Sequence, residues 1–387
     1  MTVRTPSAAV PARTAERAGT RGLRIAMVGQ KGIPATYGGI EKHVEEIAGR
    51  LVQRGHDVSV FCRLYYTPAA ASFRGVHLLR RPSLHTKHLD TATHVLWSTA
   101  ESMLRRYDIV HFHALGPSLF AALPRFAGSK TVVTVHGLDW QREKWGKVAS
   151  WFLRRCEGPS VRFPNRTIVV SKTLREYFQK QFGRETVFIP NGTNLPAPRP
   201  ARKILNLGLE PGKYILFVGR LVPEKGVHFL CEAFQQVRTD MKLALVGGLA
   251  FTEDYVKLLR GYESDRIRLL DYVFGESLEE LWSNAYLVVQ PSTMEGLSIA
   301  LLEALSYGRC VLLSDIPENV EVAEDCAVSF RSRDVADLRD KLQMLVDQPE
   351  RVRSYEALAR QHMHDHYSWD TVVENTEAVY RDLACDP

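Results

Sequence analysis

The sequence contains no run of roughly 18 consecutive apolar residues, so no membrane-spanning helix is expected. Cysteine is scarce, with six in 387 residues, at positions 62, 156, 231, 310, 326 and 385. None makes a CxxC pair or a zinc-ligand spacing, which excludes a disulfide framework and a zinc finger. Buried thiols in a reducing cytosol are the simplest account. Charge of one sign is also lacking. A net charge of +6 suits anionic ligands or an anionic membrane surface but is too small to argue for nucleic acid. There is no Asp-x-Asp motif of the sort that holds a divalent cation under a diphosphate. Residues 1–21, rich in Ala, Arg, Thr and Pro, lack the apolar core of a secretory signal and read as a disordered extension.

What is present is the alternation of strand, turn and helix. Apolar strands are expected at Leu23–Gly29, Val58–Cys62, Ile109–His113, Thr131–His136, Ile168–Ser171 and Val187–Pro190. A helix is expected over Gly39–Arg54, with Ile40, Val44, Ile47 and Leu51 on one face. Strands apolar throughout, alternating with helices, imply a parallel sheet covered on both sides. The Pro-rich 195–210 segment interrupts the series and reads as a linker. A second series follows at Tyr214–Gly219, Leu243–Gly248, Ile267–Leu270, Leu287–Pro291 and Val311–Ser314. The organisation is therefore α/β. Two tandem doubly wound domains, 22–194 and 211–365, face each other across a cleft, and a terminal helix within 366–387 packs back across it. Ligand loops at the carboxyl ends of both sheets line that cleft.

The most specific motif is Met294-Glu295-Gly296-Leu297-Ser298-Ile299-Ala300-Leu301-Leu302-Glu303-Ala304. Two glutamates eight apart on one helix would lie roughly 80° apart and ~12 Å along it, about the length of a sugar diphosphate plus ribose. Free amides at Gly296, Leu297 and Ser298 would face phosphate oxygens. Glu295 would then accept from sugar hydroxyls and Glu303 from the ribose diol. The bland alternative makes Glu295 a first-turn residue and Glu303 a solvated one. The second motif is Gly219-Arg220-Leu221-Val222-Pro223-Glu224-Lys225-Gly226. An Arg and a Lys five apart at a strand's carboxyl end can clamp a diphosphate and stabilise the charge that develops as it leaves. A solvated basic turn is the alternative.

Together these motifs resemble the GT-B glycosyltransferase family 4, and the similarity extends over nearly the whole chain from residue 23. Gly29 to Glu41 (GQKGIPATYGGIE) and His136-Gly137-Leu138-Asp139-Trp140 resemble a bacterial branch of rhamnosyl and cell-surface sugar transferases, with kin in antibiotic pathways. The resemblance implies Arg220 and Lys225 on the diphosphate, Glu295 on the donor sugar and Glu303 on the ribose. It also implies backbone near Tyr272–Val273 on the base. Gly38 and Gly39 would let their loop approach donor and acceptor closely, and His136 would reach the sugar or the reacting centre. It implies a retaining hexosyl transfer from an NDP-sugar to a hydroxyl. UDP-sugars are favoured over dTDP-sugars, and neither cofactor nor metal is expected.

Several residues keep two readings. Asp139 is an acceptor-side carboxylate or a helix N-cap. Glu41 contacts acceptor or starts its helix. His111 and His113, on one face of a strand, line the acceptor pocket or simply pack. His362, His364 and His366 read as a solvated turn. Trp140–Glu157, aromatic and basic, either lies on an anionic membrane or packs on its domain. The acceptor is a lipid-linked glycan or a small metabolite such as an aminoglycoside intermediate, met by loops 63–75, 83–95 and 114–118. Localisation is expected to be cytoplasmic, with peripheral contact at the inner membrane face. A nucleotide-sugar epimerase of the same fold, or an inactive nucleotide-sugar-binding protein, are the alternative functions.

Overall fold

The computed structural model describes residues 21–36, 38–84, 86, 89–141, 146–248 and 253–385. The extension expected over 1–21 lies almost wholly outside the described residues, as do Tyr37 and the 142–145 part of the basic aromatic segment.

The first domain runs β1 (Arg24–Val28), α1 (Gly39–Gln53), β2 (Asp57–Arg63), β3 (Ser72–Phe73), β4 (Val76–Arg81), α2 (Leu89–Arg105) and β5 (Ile109–His113). It continues with α3 (Leu123–Phe126), β6 (Lys130–Val135), α4 (Lys147–Arg155), α5 (Glu157–Arg162), β7 (Arg166–Val169), α6 (Lys172–Phe182) and β8 (Val187–Phe188). Its sheet order is β3-β4-β2-β1-β5-β6-β7-β8, parallel except for the β3–β4 hairpin. Strands such as β1 and β5 are buried along almost their whole length because helices cover both faces. On one face Val95 of α2, Val161 of α5 and Phe178 of α6 join Val110 and Val133 in one core. On the other, Val44 and Ile47 of α1 pack over Ile25, Met27 and Val60.

The second domain runs β9 (Tyr214–Val218), α7 (Val227–Gln235), β10 (Lys242–Val246), α8 (Glu253–Arg260), β11 (Ile267–Leu269), α9 (Gly275–Asn284) and β12 (Leu287–Gln290). Then come α10 (Ile299–Ser306), β13 (Val311–Ser314), α11 (Pro317–Ala323), β14 (Val328–Phe330), α12 (Val335–Asp347), α13 (Pro349–His366) and α14 (Trp369–Cys385). Its parallel sheet has the order β11-β10-β9-β12-β13-β14. The chain crosses between domains twice, and the crossings run side by side, with the Thr193 amide donating to the Tyr367 carbonyl at 2.6 Å. After the second crossing α14 lies against α1, and Trp369, Val372 and Tyr380 sit in the first domain's core.

Three sequence expectations need correction. Strands β3, β4 and β14 were not anticipated. β4 alternates buried Val76 and Leu78 with exposed His77, and β14 alternates buried Val328 and Phe330 with exposed Ser329, so neither presents an apolar run. His362, His364 and His366 belong to helix α13, not a turn, and His362 Nε2 lies 2.8 Å from the Val322 carbonyl. Glu295 is not helical. Helix α10 begins after Ser298, whose hydroxyl caps it by accepting from the Leu301 amide, so the eight-residue spacing does not set a helical angle between the glutamates.

Candidate active site

Each loop that meets at the cleft leaves the carboxyl end of a strand, where the amides of a parallel sheet run out of partners. In the second domain, the loop after β9 carries Arg220 and Lys225. It closes at Gly226, which adopts φ +66°, and a Cβ there would lie 2.1 Å from the Pro291 carbonyl oxygen. Glycine is thus required on both counts. This close approach brings Lys225 onto Glu295 as an ion pair, buried between the two loops. Glu295 Oε1 also accepts from the Ser292 hydroxyl at 2.7 Å and the Gln290 amide at 3.0 Å. Burial alone would push the Glu295 carboxyl up. Lys225, the Ser292 hydroxyl and Arg220 overcome it and hold the group below the usual carboxylate range. The carboxylate is fixed and ionised, suited to accept from hydroxyls.

Across the cleft, the β6 end presents His136 and Gly137. A Cβ on Gly296 would fall 1.8 Å from the His136 carbonyl oxygen, and one on Gly137 3.4 Å from Gly296 Cα. The backbones of the two domains touch here because neither residue has a side chain. Next to this point Gly39 faces Ile299, whose Cδ1 would be 3.6 Å from an added Cβ. Leu297 is buried, and Asn191 Nδ2 is 3.5 Å from its carbonyl oxygen.

Lys31, in the loop after β1, adds a cation that the motifs did not single out. Its ammonium proton is held less tightly than usual, chiefly through burial, with Arg63 and Arg220 adding to the effect and Glu41 opposing it. Lys31, Arg220 and Lys225 are thus gathered from both domains, an arrangement that an anion would relieve. Lys42 of α1, ion-paired with Glu46 at 2.9 Å, is near enough to Glu303 for its charge to be felt there. Burial pushes the Glu303 carboxyl up to about 6, Lys42 draws it down, and Glu46 raises it again.

Glu41 turns inward. Its Oε1 accepts the Lys31 amide at 3.0 Å, and a Cβ on Gly38 (φ +107°) would meet its Oε2 at 2.0 Å. It organises the glycine loop. His113 is buried behind His136, with Nδ1 to Nε2 at 3.2 Å, and His43 packs edge-on to His136 at 4.7 Å. Burial first, and then the neighbouring imidazoles, hold the His113 ring proton affinity well below normal, and burial lowers His43 to about 4 despite its bond to Asn191. The ring nitrogens of His43, His113 and His136 lie within 4.8 Å of one another, the one group among the described residues that could hold a metal ion. His111 packs, 2.6 Å from the Tyr380 hydroxyl and 2.7 Å from Thr134 Oγ1. Asp139 opens a short 3-10 turn at the cleft. Trp140 is held by Glu157 at 2.6 Å, beneath Arg154, while Val148, Trp151 and Phe152 are exposed.

Val273 lies in the loop after β11, between Tyr272 and Phe274, whose rings stack at 5.6 Å. Tyr272 covers Gly248, where a Cβ would sit 2.2 Å from its ring. Sequence reasoning placed backbone near Tyr272–Val273 on the base but assigned no role to the Tyr272 and Phe274 rings, to Lys31 within the glycine motif, or to Lys42 and Asn191. For Lys31 and Lys42, adjacency to the loop glycines was the only available signal.

Two doubly wound domains meeting over such a cleft define the GT-B class of glycosyltransferases. The family models agree: Glycosyltransferase Family 4 matches residues 37–196, and Glycosyl transferases group 1 matches 212–348. Each model covers one domain, and together they make the chain a glycosyltransferase enzyme of GT-B fold. It is 28% identical to the alpha-maltose-1-phosphate synthase of Mycobacterium tuberculosis, over 93% of this chain and 99% of that protein. Among solved structures, sucrose-phosphate synthase from Thermosynechococcus elongatus superposes with a TM-score of 0.81 at 21% identity, over 93% of this chain and 98% of that one. The Anabaena protein HepE in complex with UDP-glucose superposes at 0.78 with 19% identity, over 93% and 100%.

Proposed function

We propose that this enzyme transfers a hexosyl group from a UDP-sugar to a hydroxyl acceptor with retention of configuration and without a metal ion. The observation that carries this reading is the Lys225–Glu295 pair, buried directly opposite His136–Gly137. A leaving diphosphate gains negative charge as the glycosidic bond breaks, and Arg220, Lys225 and Lys31 are the charges that would stabilise it. Glu295 would accept from sugar hydroxyls, and His136 would approach the sugar from the other domain. Glu303 would accept from the ribose diol, and the Tyr272–Phe274 loop, with Val273 between them, would flank the base. The binding of UDP and UDP-glucose by HepE favours uridine. Retention follows if the acceptor attacks the face the diphosphate leaves, with the departing phosphate taking its proton. A lipid-linked acceptor fits the exposed aromatic and basic face of α4 better than a small metabolite does, and it would put a cytoplasmic enzyme at a membrane surface.

The test is a donor screen by mass spectrometry, with UDP- and dTDP-sugars, pooled hydroxyl acceptors and parallel EDTA reactions. Acceptor-dependent α-glycoside formation from a UDP-sugar that survives EDTA is expected. Loss of transfer in EDTA would refute the metal-free mechanism, and epimerised donor without glycoside would replace the transferase reading by an epimerase.

A further inference from the structure

Helix α2 is built inside out. Its inward face carries Asp90, His94, Ser98, Thr99 and Ser102, all buried. Its outward face carries Leu89, Leu96, Trp97 and Leu104, with Trp97 61% and Leu104 85% exposed. Most of the inward groups are satisfied at short range. Asp90 accepts from Arg63 at 2.7 Å and Tyr65 at 2.8 Å, and the Ser98 and Ser102 hydroxyls each donate at 2.7 Å to carbonyls of their own helix. Small polar residues let the helix sit close on the sheet, and of its aliphatic and aromatic residues only Val95 is buried in the domain's own core. An amphipathic helix of a free-standing domain is oriented the other way, and a long outward apolar stripe marks a contact surface.

The stripe extends beyond the helix. Asp90 Oδ1 accepts the Ser83 hydroxyl at 2.6 Å, so the bonds to Arg63, Tyr65 and Ser83 gather Leu64, Leu84 and Leu89, all exposed, at the rim of the cleft. Beside α2, the short α3 adds Phe126, 85% exposed. With 17 residues in α2, the strip runs ~25 Å down from the cleft.

Charge identifies what covers it. Both carboxylates of α2 are already neutralised, Asp90 by Arg63 and Glu101 by Arg81 and Arg105. The exposed Arg106 and Arg125 border the stripe, and Arg105 leaves a surplus positive charge beside Glu101, which Arg81 already pairs. A second copy docked symmetrically would set these cations against their own images. Anionic headgroups would pair with them while the leucines and the tryptophan enter the acyl boundary.

We infer that α2 and Phe126 dock the first domain on an anionic lipid surface, with α2 lying in the headgroup plane and the cleft rim turned toward the bilayer. The inference deepens the lipid-linked reading of the acceptor but does not depend on the donor or on turnover.

The test is sedimentation of the full-length protein with phosphatidylcholine vesicles, with and without about one-third phosphatidylglycerol. The comparison variant is Leu96→Gln/Trp97→Gln/Leu104→Gln, whose positions are exposed. The wild type should partition only onto anionic vesicles and release as salt rises. The variant should bind at least about tenfold more weakly, with UDP affinity and thermal midpoint unchanged. Equal partitioning of the two proteins, or no binding by the wild type, would overturn the inference. So would a concentration-dependent dimer that the triple variant abolishes, which would assign the stripe to a second copy. Vesicle binding without any glycosyl transfer would uphold the surface and sink the functional reading instead.

Discussion

The carboxylate of Glu321, on α11 of the second domain, accepts the Thr173 amide at 3.1 Å and its hydroxyl at 3.2 Å, together with the Lys172 amide at 2.6 Å. These groups belong to the first turn of α6 in the first domain, which already has its own cap, Ser171, bonded to the Leu174 amide. Ser171 satisfies only one of the helix's unpaired amides, so Glu321 satisfies two more, and it does so from the other domain. It ties the two domains together. Losing bonds to a charged acceptor costs on the order of 1–2 kcal/mol, so Glu321→Ala should lower kcat/KM roughly five- to twentyfold, mainly through KM. It should also increase the radius of gyration in solution scattering. Ser171→Ala should instead lower the melting temperature and leave KM alone. Equal kinetics for wild type and Glu321→Ala would mean the contact does not set the closure.

Lys225 and Glu295 illustrate why a single substitution misleads in a buried pair. Lys225→Ala leaves an uncompensated carboxylate among Ser292, Gln290 and the backbone, which costs about 3–5 kcal/mol. Its proton affinity must rise, since Lys225 is the largest influence opposing burial. Both stability and turnover should fall. Lys225→Ala/Glu295→Gln should recover most of the stability but none of the activity, remaining about a hundredfold or more below wild type. Arg220→Ala should lose turnover with little change in melting temperature. Thermal denaturation alongside steady-state kinetics separates the two effects. Recovery of activity in the double variant would show that the pair is structural only.

Sequence patterning carried the architecture because parallel strands buried on both faces are mainly apolar, as β1 (RIAMV), β9 (YILFV) and β12 (LVVQ) are. It failed at β4 and β14, where buried residues alternate with exposed ones and no apolar run marks the strand. The site motifs were legible as residue types in order, but not in their geometry. A spacing of eight between Glu295 and Glu303 suggested one helix, whereas Ser298 caps a helix that starts between them. Partners drawn from the other domain were hidden altogether. Nothing in the order of residues brings Lys31 beside Arg220, Lys42 beside Glu303 or Glu321 onto α6. Those relations exist only once the chain has crossed the cleft.

Gly296 is where that crossing is tightest. An alanine methyl at this position would meet the His136 carbonyl oxygen at 1.8 Å, and neither backbone can yield without opening the domains. Gly296→Ala should fold normally, since the residue lies in a loop at the interface. It should lose turnover by at least about a hundredfold and keep measurable UDP affinity through the second domain. Titration calorimetry with UDP, set beside kcat, reads the difference. Full activity in this variant would mean that the contact of His136 with Gly296 is not part of the productive state.

Glu303 makes the proposed ribose contact sensitive to pH. Its carboxyl is raised to about 6 by burial, so the empty enzyme holds it protonated below that pH and ionised above. A carboxylate accepts two hydrogen bonds from a vicinal diol, whereas a carboxylic acid must spend one oxygen as a donor. Binding of the nucleotide therefore favours the ionised form and draws the pKa down. UDP affinity should rise with pH up to about 6 and then level off, and protons should be released on binding near that pH. Glu303→Gln should bind UDP roughly tenfold more weakly at pH 7.5 and lose the pH dependence, while Lys42→Met should move the inflection upward by removing the cation that opposes burial. Calorimetry in two buffers of different ionisation enthalpy measures the proton release directly. A wild-type affinity flat from pH 5 to 8 would show that Glu303 does not hold the ribose.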